Sequence, residues 1–226
     1  LESTISNGIV IGDVSMDELL GIVERHVANG CKRIKLKVSP RDGYERTRLV
    51  REAYPELVLA VDANQSYTYD QLDMMAAYND LNLLCIEEPF SMTNLTTYKA
   101  WKESLPNWPI TTSICLDESI LSYDDLSYAI EYRLIDVLNV KVGRLGGLIQ
   151  TRAAILRCRE AGIPYWIGSM VESGISKILH VQLAALGDTY MAGDLSDSSR
   201  YFEHDLINPA ILFTDGSMQV LNGAGL

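Results

Sequence analysis

Leu57-Val58-Leu59-Ala60-Val61-Asp62 is an apolar run that closes on a carboxylate, and its form returns along the chain. LLCIE ends at Glu87, SICLD at Asp117 and VLNVK at Lys141. RIKLK closes at Lys37 upstream, while Ser169 and Asp194 continue the series downstream. From Lys37 to Asp194 these seven positions are separated by 25, 25, 30, 24, 28 and 25 residues. Each interval holds one strand, one helix and two loops. Alternating β and α elements imply a parallel sheet, and in a barrel of parallel strands all ends of one kind meet at one rim, where such enzymes keep their chemistry. Three carboxylates flanked by two lysines therefore converge from successive strands.

Working outward, strands are expected at Gly8–Gly12, Arg33–Val38, Leu57–Asp62, Leu83–Glu87, Ile114–Asp117, Val137–Lys141, Tyr165–Ser169 and Tyr190–Asp194. Ser15 to Glu18 reads as a capping box opening a helix that stops at Gly30. Further helices are expected at Tyr44–Tyr54, Tyr69–Leu81, Leu95–Glu103, Tyr123–Tyr132, Leu148–Ala161 and Ser176–Leu186. The fold class is thus α/β, a TIM-type (β/α)8-like barrel over 8–194. Residues 1–7 read as a linker. Residues 195–226 carry turn signals at Asp215-Gly216 and Asn222-Gly223 without a long helix, and read as a C-terminal segment packing on the barrel. In Arg33–Val38 the period of two puts Ile34, Leu36 and Val38 on one face and Lys35 and Lys37 on the other, towards the lumen.

A formal net charge of -11 and a pI near 4.7 exclude nucleic acid and anionic membrane surfaces as natural partners. Cys31, Cys85, Cys115 and Cys158 lack metal-ligand spacing and read as buried free thiols of a reducing compartment, hence a cytoplasmic enzyme. No apolar run approaches the length of a membrane span.

Asp62, Glu87 and Asp117 suit a hard cation such as Mg²⁺, which takes carboxylate oxygens and keeps open positions for water or substrate. Acidic residues also cap helices where a strand turns into one. That accounts for any one of the three alone, but not for three at consecutive strand ends within a lysine frame. Lys37 and Lys141 lie on the second and sixth strands, across the ring from one another. A cation between them disfavours a second positive charge on either, which is the condition for a lysine to act as a base near neutrality. Structural salt bridges and a Schiff-base lysine are the competing readings, and the latter has no use for three carboxylates. Lys35 would hold the base deprotonated or bind a substrate carboxylate. Asn64 is placed for a substrate contact or for support of Asp62, and Glu88 and Glu118 turn away from their neighbours as supporting or helix-capping groups. The Gly143-Arg144-Leu145-Gly146-Gly147 stretch lacks P-loop spacing and reads as a tight turn. His26, His180 and His204 carry no catalytic signal.

The motifs RIKLK (33–37), VDAN (61–64), IEEPF (86–90), CLDES (115–119), NVKVGRLGG (139–147) and GDLSDSSRY (193–201) resemble, in order, those of the enolase superfamily barrel domain. The muconate-lactonizing branch is the nearest, and within it the o-succinylbenzoate synthase and N-acylamino acid racemase group. The resemblance implies the (β/α)7β variant of the barrel and Mg²⁺ held by Asp62, Glu87 and Asp117. It also implies acid/base work by Lys37 and Lys141 on a proton α to a carboxylate, through an enediolate. The implied reaction is dehydration of a 2-succinyl-6-hydroxycyclohexadiene carboxylate in menaquinone biosynthesis, or racemization of N-acylated amino acids, or both. Arg144 looks like the arginine of racemase-capable members, and Ser169 and Asp194 fall at strand ends facing the substrate. Gly168-Ser169-Met170 departs from the histidine of mandelate racemases, and Asp194-Leu195-Ser196 from the D-x-D of dipeptide epimerases. Such enzymes begin with a capping domain that packs on the barrel rim. It is absent from this sequence, whose end at Leu226 also reads as cut short. A small carboxylate substrate and a homo-oligomer are the implied partners.

Overall fold

The computed structural model describes residues 3–187 and 189–221. In chain order the first elements are β1 (Thr4–Ser6), β2 (Ile9–Ile11), α1 (Met16–Ala28), β3 (Arg33–Lys37), α2 (Gly43–Ala53), β4 (Val58–Asp62), α3 (Leu72–Ala76) and β5 (Ile86–Glu87). Then follow α4 (Leu95–Ser104), β6 (Ile114–Leu116), α5 (Tyr123–Glu131), β7 (Val137–Val140), α6 (Leu148–Ala161), β8 (Tyr165–Ile167), α7 (Gly174–Ala184), β9 (Phe213–Thr214) and β10 (Ser217–Gln219). Strands β2 to β8 pair in sequence order, each parallel to the next, as a curled seven-stranded sheet.

Alternation sorts the side chains of this sheet into two cores. Outward-facing Ile34, Leu36, Leu59, Val61, Ile86, Leu116, Leu138 and Val140 pack with the helices. Ala60, Cys85, Cys115, Val137 and Trp166 fill the lumen as a second cluster. Arg33 lies over the Trp166 ring at 4.4 Å and donates to the Ala192 carbonyl. Placing a guanidinium on an aromatic face is one way to seat a cation at a barrel floor. All four cysteines are buried free thiols.

The expected eighth strand, Tyr190–Asp194, does not form as a strand. Its segment closes the barrel irregularly: the Tyr190 N–H donates to Tyr165 O at 2.8 Å, and the Gly8 N–H donates to Gly193 O at 2.8 Å. A single parallel bridge joins Asn7 to Gly193. The reason is close approach, because a Cβ on Gly193 would stand 2.3 Å from Ile167 O and one on Gly8 2.8 Å from Arg33 O. The Asn7 amide then does what a strand backbone would, accepting from the Leu195 N–H and donating to the Leu195 carbonyl.

Three other expectations are corrected. Residues 4–6, placed in a linker, form β1, which pairs antiparallel with β10 and buries Ile5 against the core. The turn signal at Asp215-Gly216, by contrast, holds: it makes the β9–β10 turn, both residues at positive φ, and Asn222-Gly223 lies outside the described residues. The Ser15 hydroxyl bonds the Glu18 carboxylate and does not cap the α1 backbone. Finally, 69–81 is a 3₁₀ turn, the short α3 and a second 3₁₀ turn. In a 3₁₀ helix positions i and i+3 align, which lets Tyr78 and Leu81 both face inward, with Tyr78 bonded to the Tyr67 hydroxyl at 3.0 Å.

Helix α7 carries the fully buried His180, 3.4 Å from the Glu172 carboxylate. Burial, aided by Lys177 and opposed by Glu172, pushes the imidazole down to about 4 from 6.5. The unfolded chain takes up this proton near 6.5 and the native protein only near 4. Stability is therefore fully present above pH 6.5 and is lost as pH falls, by up to about 3 kcal/mol. Urea denaturation at pH 7 and pH 4.5 should show that loss in the wild type and a shallower one in His180→Gln; equal slopes would contradict it.

Candidate active site at the strand ends

Register brings the expected site residues side by side. Lys37 is the cross-strand partner of Asp62, and Asp62 of Glu87, on β3, β4 and β5. Asp117 follows β6 and Lys141 follows β7. Asp62, Glu87 and Asp117 are all buried.

Lys35 is the inner counter-charge. Its side chain is 3 % exposed, and its ammonium lies 2.8 Å from Glu87, 3.6 Å from Asp62, and in contact with Asp194. Burial acts to depress its pKa, but Asp194, Glu87 and Asp62 together outweigh it and hold the pKa well above the ordinary lysine value. Lys35 in this arrangement is buried among protein carboxylates. Burial would raise Asp62 too, but Lys35 and Lys37 lower it below its usual value. Glu87 stays above its own, since burial and the nearby Asp62 and Asp194 exceed the pull of Lys35. Asp194 is held low, because Lys35 and Arg33 overcome its desolvation.

The outer cations sit nearer solvent. Lys37, 36 % exposed at its side chain, donates to Asp62 at 2.6 Å and to Asn64 Oδ1 at 2.5 Å. Asn64, in left-handed backbone, accepts Lys37 while its amide nitrogen donates to Glu118, and its own N–H bonds Asp62. Lys141, 12 % exposed, and Arg144 both pair with Asp117. Ser169 accepts from the Ser196 N–H at the barrel seam.

Two residues complete the site. Asn139 donates to Glu87 Oε1 at 2.9 Å; it precedes Lys141 by two on one strand face, so the alternation that revealed Lys35 could have found it. Glu88, fully buried, accepts from the Asp117 and Ser119 N–H groups, and burial pushes its pKa up to about 7.

The donor set at the rim is all carboxylate oxygen, with no imidazole or thiolate, which fits a hard divalent cation. Among the described residues no three acidic groups close round one point. Each carboxylate faces an ammonium, a guanidinium or an amide, so an entering cation would take over charge that these side chains now balance.

Removing Lys35 leaves buried carboxylates without their shared counter-charge. Lys35→Met should destabilise the metal-free protein by about 3–5 kcal/mol, measured by urea denaturation at pH 7, with part of the loss recovered at pH 5. A loss below about 1 kcal/mol would mean that these carboxylates do not depend on it.

Known proteins give the arrangement its context. The chain is 35% identical over 220 residues to the o-succinylbenzoate synthase of Geobacillus kaustophilus, covering 97% of this chain and 57% of that protein. It is 37% identical over 220 residues to the N-succinylamino acid racemase of Thermus thermophilus, covering 97% and 58%. Among solved structures, a dipeptide epimerase from Methylococcus capsulatus complexed with Mg ion superposes with a TM-score of 0.79 at 28% identity, covering 97% of this chain and 64% of that one. The chain thus spans little more than half the length of the two curated relatives. The profile described as Enolase C-terminal domain-like matches residues 18–226, and the chain belongs to that family, within the enolase superfamily.

Proposed function

We propose that this barrel forms the catalytic half of a Mg²⁺-dependent o-succinylbenzoate synthase, a cytoplasmic hydro-lyase of menaquinone biosynthesis. The observation that carries it is the placing of two rim lysines, Lys37 on Asp62 and Lys141 on Asp117, either side of Glu87. Asp62, Glu87 and Asp117 would hold the cation, which when bound supplies a positive charge for the substrate carboxylate as negative charge builds on it. Lys37, the more exposed lysine, removes the proton α to that carboxylate. It then returns the proton to the departing hydroxyl on the same face, so one group serves both halves of the elimination. Lys141 stabilises the enediolate by its charge. Asn64 fixes the direction of the Lys37 ammonium.

Racemization of N-succinylamino acids is the second reading. A lysine at each side of the site is what proton removal from one face and return to the other requires, and the 37% identical racemase favours it. Arg144, beside Lys141 on Asp117, would serve that activity.

The complete enzyme, capping domain included, should bind Mg²⁺ by calorimetry, and Asp62→Ala or Glu87→Ala should abolish detectable binding. Lys37→Ala and Lys141→Ala should each lower dehydration by about 10²–10⁴-fold. In D2O with an N-succinyl amino acid, Lys37→Arg and Lys141→Arg should each retain α-proton exchange for one enantiomer only, and for opposite ones. Wild-type exchange of both enantiomers by both variants would remove these lysines from the role of bases.

A further inference from the structure

Six non-glycine residues in the described chain adopt positive φ, and three of them, Asn64 (44°), Gln65 (60°) and Glu88 (42°), gather at this rim. Left-handed backbone at a residue with a side chain costs energy and persists where its surroundings enforce it. Here the enforcement centres on one carboxylate. Glu88 Oε1 accepts the Asp117 N–H at 2.8 Å and the Ser119 N–H at 2.7 Å. Its Oε2 accepts the Ser119 hydroxyl at 2.8 Å and Gln65 Nε2 at 3.0 Å. The Glu88 backbone takes part as well, donating to Cys115 O at 3.0 Å and accepting the Gln65 N–H at 2.7 Å.

One buried side chain thus ties together the ends of β4, β5 and β6, the three strands that carry Asp62, Glu87 and Asp117. All four of its bonds come from neutral donors. A lone structural cap would need one strand end, whereas this carboxylate spans three. We infer that Glu88 is a positioning residue for a divalent cation, setting the spacing of the three carboxylates without touching the ion. The inference rests on the proposed reading of those carboxylates as ligands. It adds that their affinity for a cation depends on a residue facing away from it. An amide at position 88 keeps the shape but presents N–H groups to the donors on one side, which splays the β6 end from β5.

The test is Mn²⁺ binding by electron paramagnetic resonance, with thermal unfolding of the metal-free protein alongside. Glu88→Gln should weaken binding about 10–100-fold, the range typical of residues that orient metal ligands. Leu126→Ala, a core truncation in α5 at a residue that takes no part in the Glu88 hydrogen bonds, should lower the melting temperature yet leave affinity within twofold. Should Glu88→Gln not fold, Ser119→Ala and Gln65→Ala, each removing one donor, should each weaken binding at least threefold. Equal affinity in wild type and the foldable variants, or equal weakening by Leu126→Ala, would overturn the positioning role while leaving the ligands intact. A wild-type protein that binds no Mn²⁺ would overturn the ligand reading and this one with it.

Discussion

A carboxylate taken out of water must be met by a charge or by donors, and in this barrel a single buried ammonium meets three of them. Lys35 touches Asp62, Glu87 and Asp194, which come from one side of the ring and from its closing segment. The desolvation penalty of such groups is several kcal/mol each, and they are tolerable only with good geometry. The lumen is shaped accordingly. Below the charges lie small or apolar side chains, with Trp166 and Arg33 filling the floor. Above them, Lys37, Lys141 and Arg144 take the outer oxygens. The acidic rim is therefore the top of a layered electrostatic stack whose middle is Lys35.

The barrel's closure belongs to the same stack. Asp194 reaches Lys35 from a segment with no regular strand hydrogen bonding, so its position depends on the Asn7–Gly193 bridge and the Asn7 amide on Leu195. That seam in turn is buttressed by β1, which sits just before Asn7 and pairs with β10. Residues that close the sheet are thereby coupled to the charge that makes its interior tolerable. Lys177, fully buried on α7, adds to this side by donating to Met170 O at 3.2 Å, and it holds the turn that follows β8.

The sequence carried its repeating elements openly because strand and helix each announce themselves by local patterning. LVLAVD, SICLD and VLNVK are apolar runs bounded by charge, and all three fall on strands β4, β6 and β7. Alternation in RIKLK told which lysines face the lumen, and register then placed Asp62 beside both Lys37 and Glu87. What stayed hidden depends on contacts distant along the chain. Asn7 reads as a loop residue until Leu195, 188 positions away, meets its amide. Tyr190–Asp194 has strand-like spacing, but Gly193 marks a backbone approach too tight for a regular ladder. Lys35 reads as a group that holds the base deprotonated or binds a substrate carboxylate, and no local signal says that three carboxylates will enclose it. Glu88 was legible as a support, yet not that it bridges three strand ends, since that follows from its left-handed backbone.

Charge balance links this architecture to the proposed chemistry. Asp62, Glu87, Asp117 and Asp194 face Lys35, Lys37, Lys141 and Arg144, four charges of each sign. On the proposed reading a divalent cation enters a set that is already neutral and leaves it with an excess of two positive charges. Such an excess, beside buried carboxylates, is relieved by an anionic substrate or by loss of a proton from a lysine. Lys35 cannot yield its proton easily, because its carboxylates hold it charged. Lys37, over a third exposed, is held by one carboxylate and one amide. The K-x-K strand thus separates its lysines by depth: the inner one stays a cation so that the fold can hold its acids, and the outer one, on the proposed reading, is the one that faces substrate.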